Sequence, residues 1–292
     1  MQTLIWRYFR VEHPADWQML HYSCNMDAGR CALADRYRFR LEFHWRRFAV
    51  PPDLDRMLSD YRKSLEQDDS AEAIQSVQHG SWRGLETESG DVTTWRFGQF
   101  FTAESCLIEL VFVWPDGPDT QMAHHVLDSV REEPVLRGLR RWRAFGMDMN
   151  VSDGLALQEC TIKPAHAEMV FTKPGKSGRT ETFRRLGMVD QWLGAPVADW
   201  LSVQQPEKAR NWRPGRVSRL NHSIHYADAT LPATGLRRMT RRIGSFQGAA
   251  WICPSDERLY CATLTSSQPL SGRPELLDGG RLACCDDLVS QR

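Results

Sequence analysis

Trp6-Arg7-Tyr8-Phe9-Arg10-Val11-Glu12-His13-Pro14-Ala15-Asp16-Trp17 opens this chain, and Arg141-Trp142-Arg143-Ala144-Phe145-Gly146-Met147-Asp148-Met149-Asn150-Val151-Ser152-Asp153-Gly154 repeats its pattern about 135 residues later. In each stretch a Trp stands three residues before a Phe, an alternating segment follows, and a turn with Pro-Ala-Asp or Ser-Asp-Gly comes next. Further on, the alternating run Arg38-Phe39-Arg40-Leu41-Glu42-Phe43-His44-Trp45 is paralleled by Ala167-Glu168-Met169-Val170-Phe171, and each precedes an amphipathic helix candidate. The pattern predicts one topology built twice: an α+β class with two related units, each an antiparallel sheet with one or two helices packed on it. The boundaries expected are 1–136 for the first unit, 137–266 for the second, and 267–292 for a flexible tail rich in Pro, Gly, Ser and acidic residues.

The 292 residues, 41% hydrophobic and 25% charged, suit two ordinary globular domains of about 140 residues each. No run approaches the roughly 18 apolar residues of a membrane span. Arg7, Arg10, Glu12 and His13 interrupt the N-terminus before a signal-peptide core can form, so a cytoplasmic location is expected, without membrane partners. The 37 basic and 37 acidic residues cancel, which removes any global field toward nucleic acid. Residues 1–143 hold 18 Lys and Arg against 22 Asp and Glu, and residues 144–292 hold 19 against 15, a modest positive bias of the second half.

In the first half, strands are predicted over 9–12, 17–23, 36–45, 80–86, 91–101 and 105–114, the last two as a hairpin. Tyr37, Phe39, Leu41, Phe43 and Trp45 alternate with polar residues and are assigned to one core-facing side. Leu54, Met57, Leu58, Tyr61 and Leu65 recur at helical spacing after Pro51-Pro52, with Asp53 and Asp55 where a helix dipole favours acids. A second helix is expected over 121–131. The second half predicts strands over 145–151, 155–160, 168–172, 222–229, 248–253 and 259–266, and a helix over 189–203 split by Pro196.

The eight cysteines (Cys24, Cys31, Cys106, Cys160, Cys253, Cys261, Cys284 and Cys285) are expected as thiols that pack as small hydrophobes in a reducing compartment. Spacings such as Cys24-x6-Cys31 and Cys253-x7-Cys261 are too loose for a structural metal site, so no zinc and no other cofactor is expected. Cys284-Cys285, beside Asp286 and Asp287, is read as an exposed, oxidisable pair.

Catalytic candidates are His44, His79, His124, His125, His166, His222 and His225, with Cys160 as a nucleophile. None falls into a recognisable motif: there is no nucleophile elbow, phosphate-binding loop, His-Glu-x-x-His or dinucleotide fingerprint. His124 and His125 would point about 100° apart on a helix. His222 and His225 would fall on opposite faces of a strand, which argues against a metal shared by the two. The chain therefore leans away from enzymes.

The strongest charge feature runs from Lys208 to Arg242, with nine basic residues against Asp228 alone. Arg210, Arg213, Arg216 and Arg219 recur every third residue around Trp212, and Pro214-Gly215 forbids a helix there, so an extended arginine-rich segment is expected. Arg237, Arg238, Arg241 and Arg242 complete the candidate binding surface. Trp142 and Trp212, flanked by charge among the 11 tryptophans, are read as interface anchors.

Residues 6–131 resemble the PsbP-like superfold. The resemblance is carried by Phe9-Arg10-Val11-Glu12-His13-Pro14-Ala15-Asp16-Trp17, similar to that group's strand-Pro-x-x-Trp opening, by the late strand Leu107-Ile108-Glu109-Leu110-Val111-Phe112, and by the closing helix ending Leu127-Asp128-Ser129-Val130. The second half lacks the Pro-x-x-Trp turn. What this resemblance implies is a sheet scaffold that binds other proteins and seldom catalyses. Together these readings predict a non-catalytic protein that binds another macromolecule, a protein before a nucleic acid, through the basic surface of its second unit. The alternative is an enzyme or anionic-ligand binder with its site between the units.

Overall fold

The computed structural model describes residues 1–67, 72–174, 178–219, 221–232, 243–270, 275–276 and 281–285. The chain divides into two compact units, Met1–Glu133 and Pro134–Arg292.

In the first unit β1 (Gln2–Trp6) and β2 (Phe9–His13) form a hairpin. Arg7 and Tyr8 close it with φ of 53° and 73°, the mirror-image turn whose twist matches that of the strands. The main sheet follows: β3 (Gln18–His21), β4 (Ala28–Ala34), β5 (Phe39–Arg47), then helix α1 (Leu54–Gln67), then β6 (Ala73–His79), β7 (Trp82–Ser89), β8 (Val92–Phe101) and β9 (Cys106–Trp114). Its order is β3-β4-β5-β9-β8-β7-β6, antiparallel throughout. Leu41, Phe43 and Trp45 of β5, Trp95 and Phe97 of β8, and Ile108, Leu110 and Phe112 of β9 are all buried. Phe9 of the hairpin seats on them, its ring 6.3 Å from Phe43 and 5.1 Å from Phe101. Helix α2 (Thr120–Ser129) is capped by the Asp119 carboxylate, which accepts from the Met122 amide at 2.9 Å, and it buries Ala123, Val126 and Leu127. Strand β10 (Arg131–Glu132) then pairs with β2.

The second unit opens with another hairpin, β11 (Leu139–Ala144) and β12 (Met147–Ser152), turned by Phe145 and Gly146 at φ of 52° and 73°. Its main sheet comprises β13 (Ala156–Lys163), β14 (His166–Thr172), β15 (Arg179–Leu186), the short helices α3 (Val189–Trp192) and α4 (Val197–Val203), then β16 (Arg210–Arg219), β17 (His222–Leu231), β18 (Gly244–Ile252) and β19 (Leu259–Ser266). The order is β13-β14-β15-β19-β18-β17-β16, the same as in the first unit when strands are matched in chain order. Pro196 caps α4 and separates it from α3, as its spacing predicts. Leu201 of α4 packs with Val189, Ala227, Ala250, Leu259 and Cys261. Strand β20 (Leu282–Ala283) pairs with β12.

The fold class expected from sequence is overturned. Of the described residues 54% are strand and 14% helix, a predominantly β protein with large antiparallel sheets. Helices cover little of either main sheet: α1 contributes no buried residue and its apolar stripe is only half-buried, and α4 lays one buried side chain, Leu201, on the second. A β-hairpin supplies the aromatic packing on each main sheet instead, through Phe9 in the first unit and Trp142 against Phe171 in the second. Several strands lacked an apolar signature. Strand β15 reads Arg-Thr-Glu-Thr-Phe-Arg-Arg-Leu yet lies between β14 and β19, where Arg184 meets Glu168 and Arg185 meets Asp256 at 3.2 Å.

Tyr37 and Phe39, assigned to the core, are 79% and 50% exposed, because β5 begins only at Phe39. Trp6 and Trp142 are not equivalent in frame: Trp6 pairs with Phe9 beside its turn, whereas Trp142 pairs with Met149, two positions further from its own. Trp142 is 1% exposed and so is a core residue, not an interface anchor. The described part of the expected tail is built into the unit: Leu276, Arg281, Leu282 and Ala283 are buried.

Candidate functional site: an arginine-bearing edge strand and a thiol–imidazole cluster

The basic segment forms β16, the edge strand of the second unit's main sheet, bonded through its pairing with β17. Pro214 is tolerated at such an edge because a missing backbone donor costs least there. Gly215 is required by packing: a Cβ on it would lie 2.2 Å from the ring of Tyr226, its cross-strand partner. Arg210, Arg213 and Arg216 are exposed, and Arg219 is half-buried. Arg213 pairs with Asp228 at 2.8 Å, and Arg216 donates to the Ser223 hydroxyl at 2.6 Å. A register shift between Arg210 and Arg213 breaks the ladder locally and turns the strand. Trp212 stacks on Phe246 with ring centroids 6.1 Å apart, so it anchors β16 to its own sheet. Arg237, Arg238, Arg241 and Arg242 lie outside the described residues.

The histidines proposed for chemistry separate. In the first unit His44 pairs with Glu42 at 2.7 Å and His125 with Glu12 at 3.3 Å, while His79 stacks on His124 at 4.0 Å and bonds Asp128 at 2.7 Å. These are local pairs on neighbouring elements, and Cys160 is half-buried in β13, opposite Met169. His225 faces away from His222, as strand alternation predicts; burial, then the neighbouring Arg216 cation, lower its pKa.

His222 begins β17 and is 1% exposed. Pairing of His225 with Ala250 fixes the antiparallel register, which, carried three positions further, sets His222 opposite Cys253 at the end of β18. Strand β20 delivers Cys284 and Cys285 to the same place. The His222 Nε2 atom lies 3.4 Å from Cys253 Sγ, 3.3 Å from Cys284 Sγ and 3.6 Å from Cys285 Sγ, and the last two sulfurs are 3.9 Å apart. All four donor atoms fall within 4.8 Å of one another, so this group could hold a metal ion. The expectation of an exposed Cys284-Cys285 pair in a polar tail is thereby corrected: both are partly buried against His222. Burial pushes the Cys253 and Cys284 thiols up. Against that trend, the backbone N–H groups of Ser255 and Asp256 favour the Cys253 thiolate, and Trp251 Nε1 donates to Cys284 Sγ at 3.3 Å.

Surrounding bonds hold these donors in place. Trp251 stacks on Tyr260 at 5.9 Å, Tyr260 donates to the Asp256 carboxylate at 2.7 Å, and Arg185 donates to the Tyr260 hydroxyl at 2.9 Å. The hairpin tip is closed by Cys253 N–H donating to the Arg258 carbonyl at 2.9 Å. No motif announces the set, because its members stand 31 residues apart or more except for the adjacent Cys284 and Cys285.

No protein-family model and no curated protein matches the chain. The PsbP-like resemblance therefore rests on the quoted residues alone. Among solved structures, an immunity protein, TplEi of the T6SS of Pseudomonas aeruginosa, aligns over 93% of this chain and 89% of its own at 13% identity and a TM-score of 0.34. A protein from Bacteroides thetaiotaomicron VPI-5482 aligns over 49% of each chain at 16% identity and a TM-score of 0.28, so this chain spans about half of that structure's length. Among the described residues no helix is long and apolar enough to cross a membrane.

Proposed function

We propose that this is a non-catalytic protein, built as two diverged copies of one β-rich unit, that binds an acidic surface of another protein through β16. The observation that carries the reading is that β16 is a sheet edge bearing the exposed guanidinium groups of Arg210, Arg213 and Arg216. Guanidinium groups recognise carboxylates as planar two-pronged donors, and Arg is enriched where interfaces carry binding energy. The missing amide of Pro214 and the bulge weaken the edge as a template for an added strand, so side chains carry the recognition.

Arg210→Glu with Arg216→Glu is expected to change unfolding free energy by no more than about 0.5 kcal/mol, as exposed substitutions do. The same variant is expected to lose capture of an immobilised polyglutamate peptide. Wild-type capture should itself fade as ionic strength rises from about 0.05 M to about 0.5 M. Equal capture by wild type and variant would refute the reading. Retention on a DNA column that the variant loses, with no peptide capture, would transfer it to nucleic acid.

A further inference from the structure

We propose that His222, Cys253, Cys284 and Cys285 form a closed, structural Zn²⁺ site that fastens the C-terminal segment to the second unit's main sheet. The donor set is that of a structural zinc centre. Three sulfurs and one imidazole nitrogen are the ligands of a structural zinc site, and a soft, thiolate-rich set disfavours magnesium and calcium. A tetrahedral ion with Zn–S of about 2.3 Å and Zn–N of about 2.0–2.1 Å separates sulfur from sulfur by about 3.8 Å and sulfur from nitrogen by about 3.5–3.6 Å. Four of the six separations lie close to these values, 3.9 Å between Cys284 and Cys285 and 3.3 Å, 3.4 Å and 3.6 Å from His222 Nε2 to the three sulfurs, and all six are within 4.8 Å. A disulfide would need about 2.05 Å, so Cys284 and Cys285 are not bonded to each other.

On binding Zn²⁺ the three thiol protons pass to solvent as the sulfurs coordinate. The product carries one net negative charge, stabilised by the Trp251 indole N–H at Cys284 and the Ser255 and Asp256 amides at Cys253. Four protein ligands leave no open position, so the ion is structural and activates no water. Its mechanical effect follows from placement: β20 holds only two residues in the sheet, and the site clamps the chain immediately after it to the ends of β17 and β18.

The test uses the full chain. Protein unfolded with chelator and reductant, refolded with Zn²⁺ alone and desalted, is expected to retain about one zinc per chain by elemental analysis. Removal of the ion should lower the thermal midpoint. Cobalt(II) in place of zinc is expected to give the intense visible bands and sulfur-to-metal charge transfer of a tetrahedral thiolate centre. Cys253→Ser should abolish retention, Cys261→Ser, at a buried thiol outside the cluster, should keep it, and His222→Cys should retain zinc with a red-shifted cobalt spectrum. If Cys253→Ser fails to fold, the wild-type cobalt spectrum decides. Substoichiometric zinc in natively folded wild type, octahedral cobalt, or equal zinc in Cys253→Ser and Cys261→Ser would each overturn the proposal.

Discussion

Glu181→Ala is expected to destabilise the second unit by about 3–5 kcal/mol, the cost of removing one partner from a buried charge pair. Glu181 is fully buried in β15, and its carboxylate accepts from the Ser152 amide at 3.1 Å, the Ser152 hydroxyl at 2.6 Å and Arg179 at 2.9 Å. It also pairs with Arg281, which is 4% exposed and precedes β20. Alanine would leave that guanidinium without its counter-ion and far from water. Arg179 would suffer less, since it keeps Glu275 at 2.6 Å and is partly solvated. Urea unfolding checks this: a loss below about 1 kcal/mol would mean that Arg281 swings out to solvent and that the C-terminal segment contributes little.

Trp142→Ala is expected to cost about 3–5 kcal/mol, the range for emptying a large aromatic site in a core. The ring is 1% exposed and meets Phe171 edge-on at 5.1 Å. Its neighbours Arg141 and Arg143 suggest a surface position, but alternation along β11 sends the tryptophan inward while Arg141 reaches Asp148 across the hairpin at 2.8 Å. An exposed anchor would instead cost about 0.5 kcal/mol or less and affect only binding. Thermal or denaturant unfolding separates the two outcomes directly.

Much of the local structure was legible because local rules govern it. The apolar stripe from Leu54 to Leu65 marks α1, the strand pair over 91–101 and 105–114 is β8 and β9, and β19 runs over the predicted 259–266. What escaped were β1 and β4, whose buried Leu4, Ile5, Trp6 and Cys31, Ala32, Leu33, Ala34 run consecutively without alternation, and strands whose polar residues are satisfied by their neighbours. Strand β15 carries Arg179, Glu181, Arg184 and Arg185, and β6 reads Ala-Ile-Gln-Ser-Val-Gln-His, so neither shows the alternation that marks a half-buried strand. Missing such strands left helices to cover the sheets, and the α+β class followed from that omission.

The candidate sites divide in the same way. The sequence by itself determined that 210–219 is extended and arginine-rich, because Pro214-Gly215 forbids a helix and charge is countable, and that His222 and His225 part company, because strand side chains alternate. Only the tertiary structure decided that Trp142 is core, that Arg281 is buried against Glu181, and that Cys253, Cys284 and Cys285 converge on His222. The physical reason is range. Propensity and periodicity act over a few residues, whereas a ligand set assembled from β17, β18 and β20 depends on sheet register and on the hairpin that receives β20, long-range pairings that no local pattern encodes.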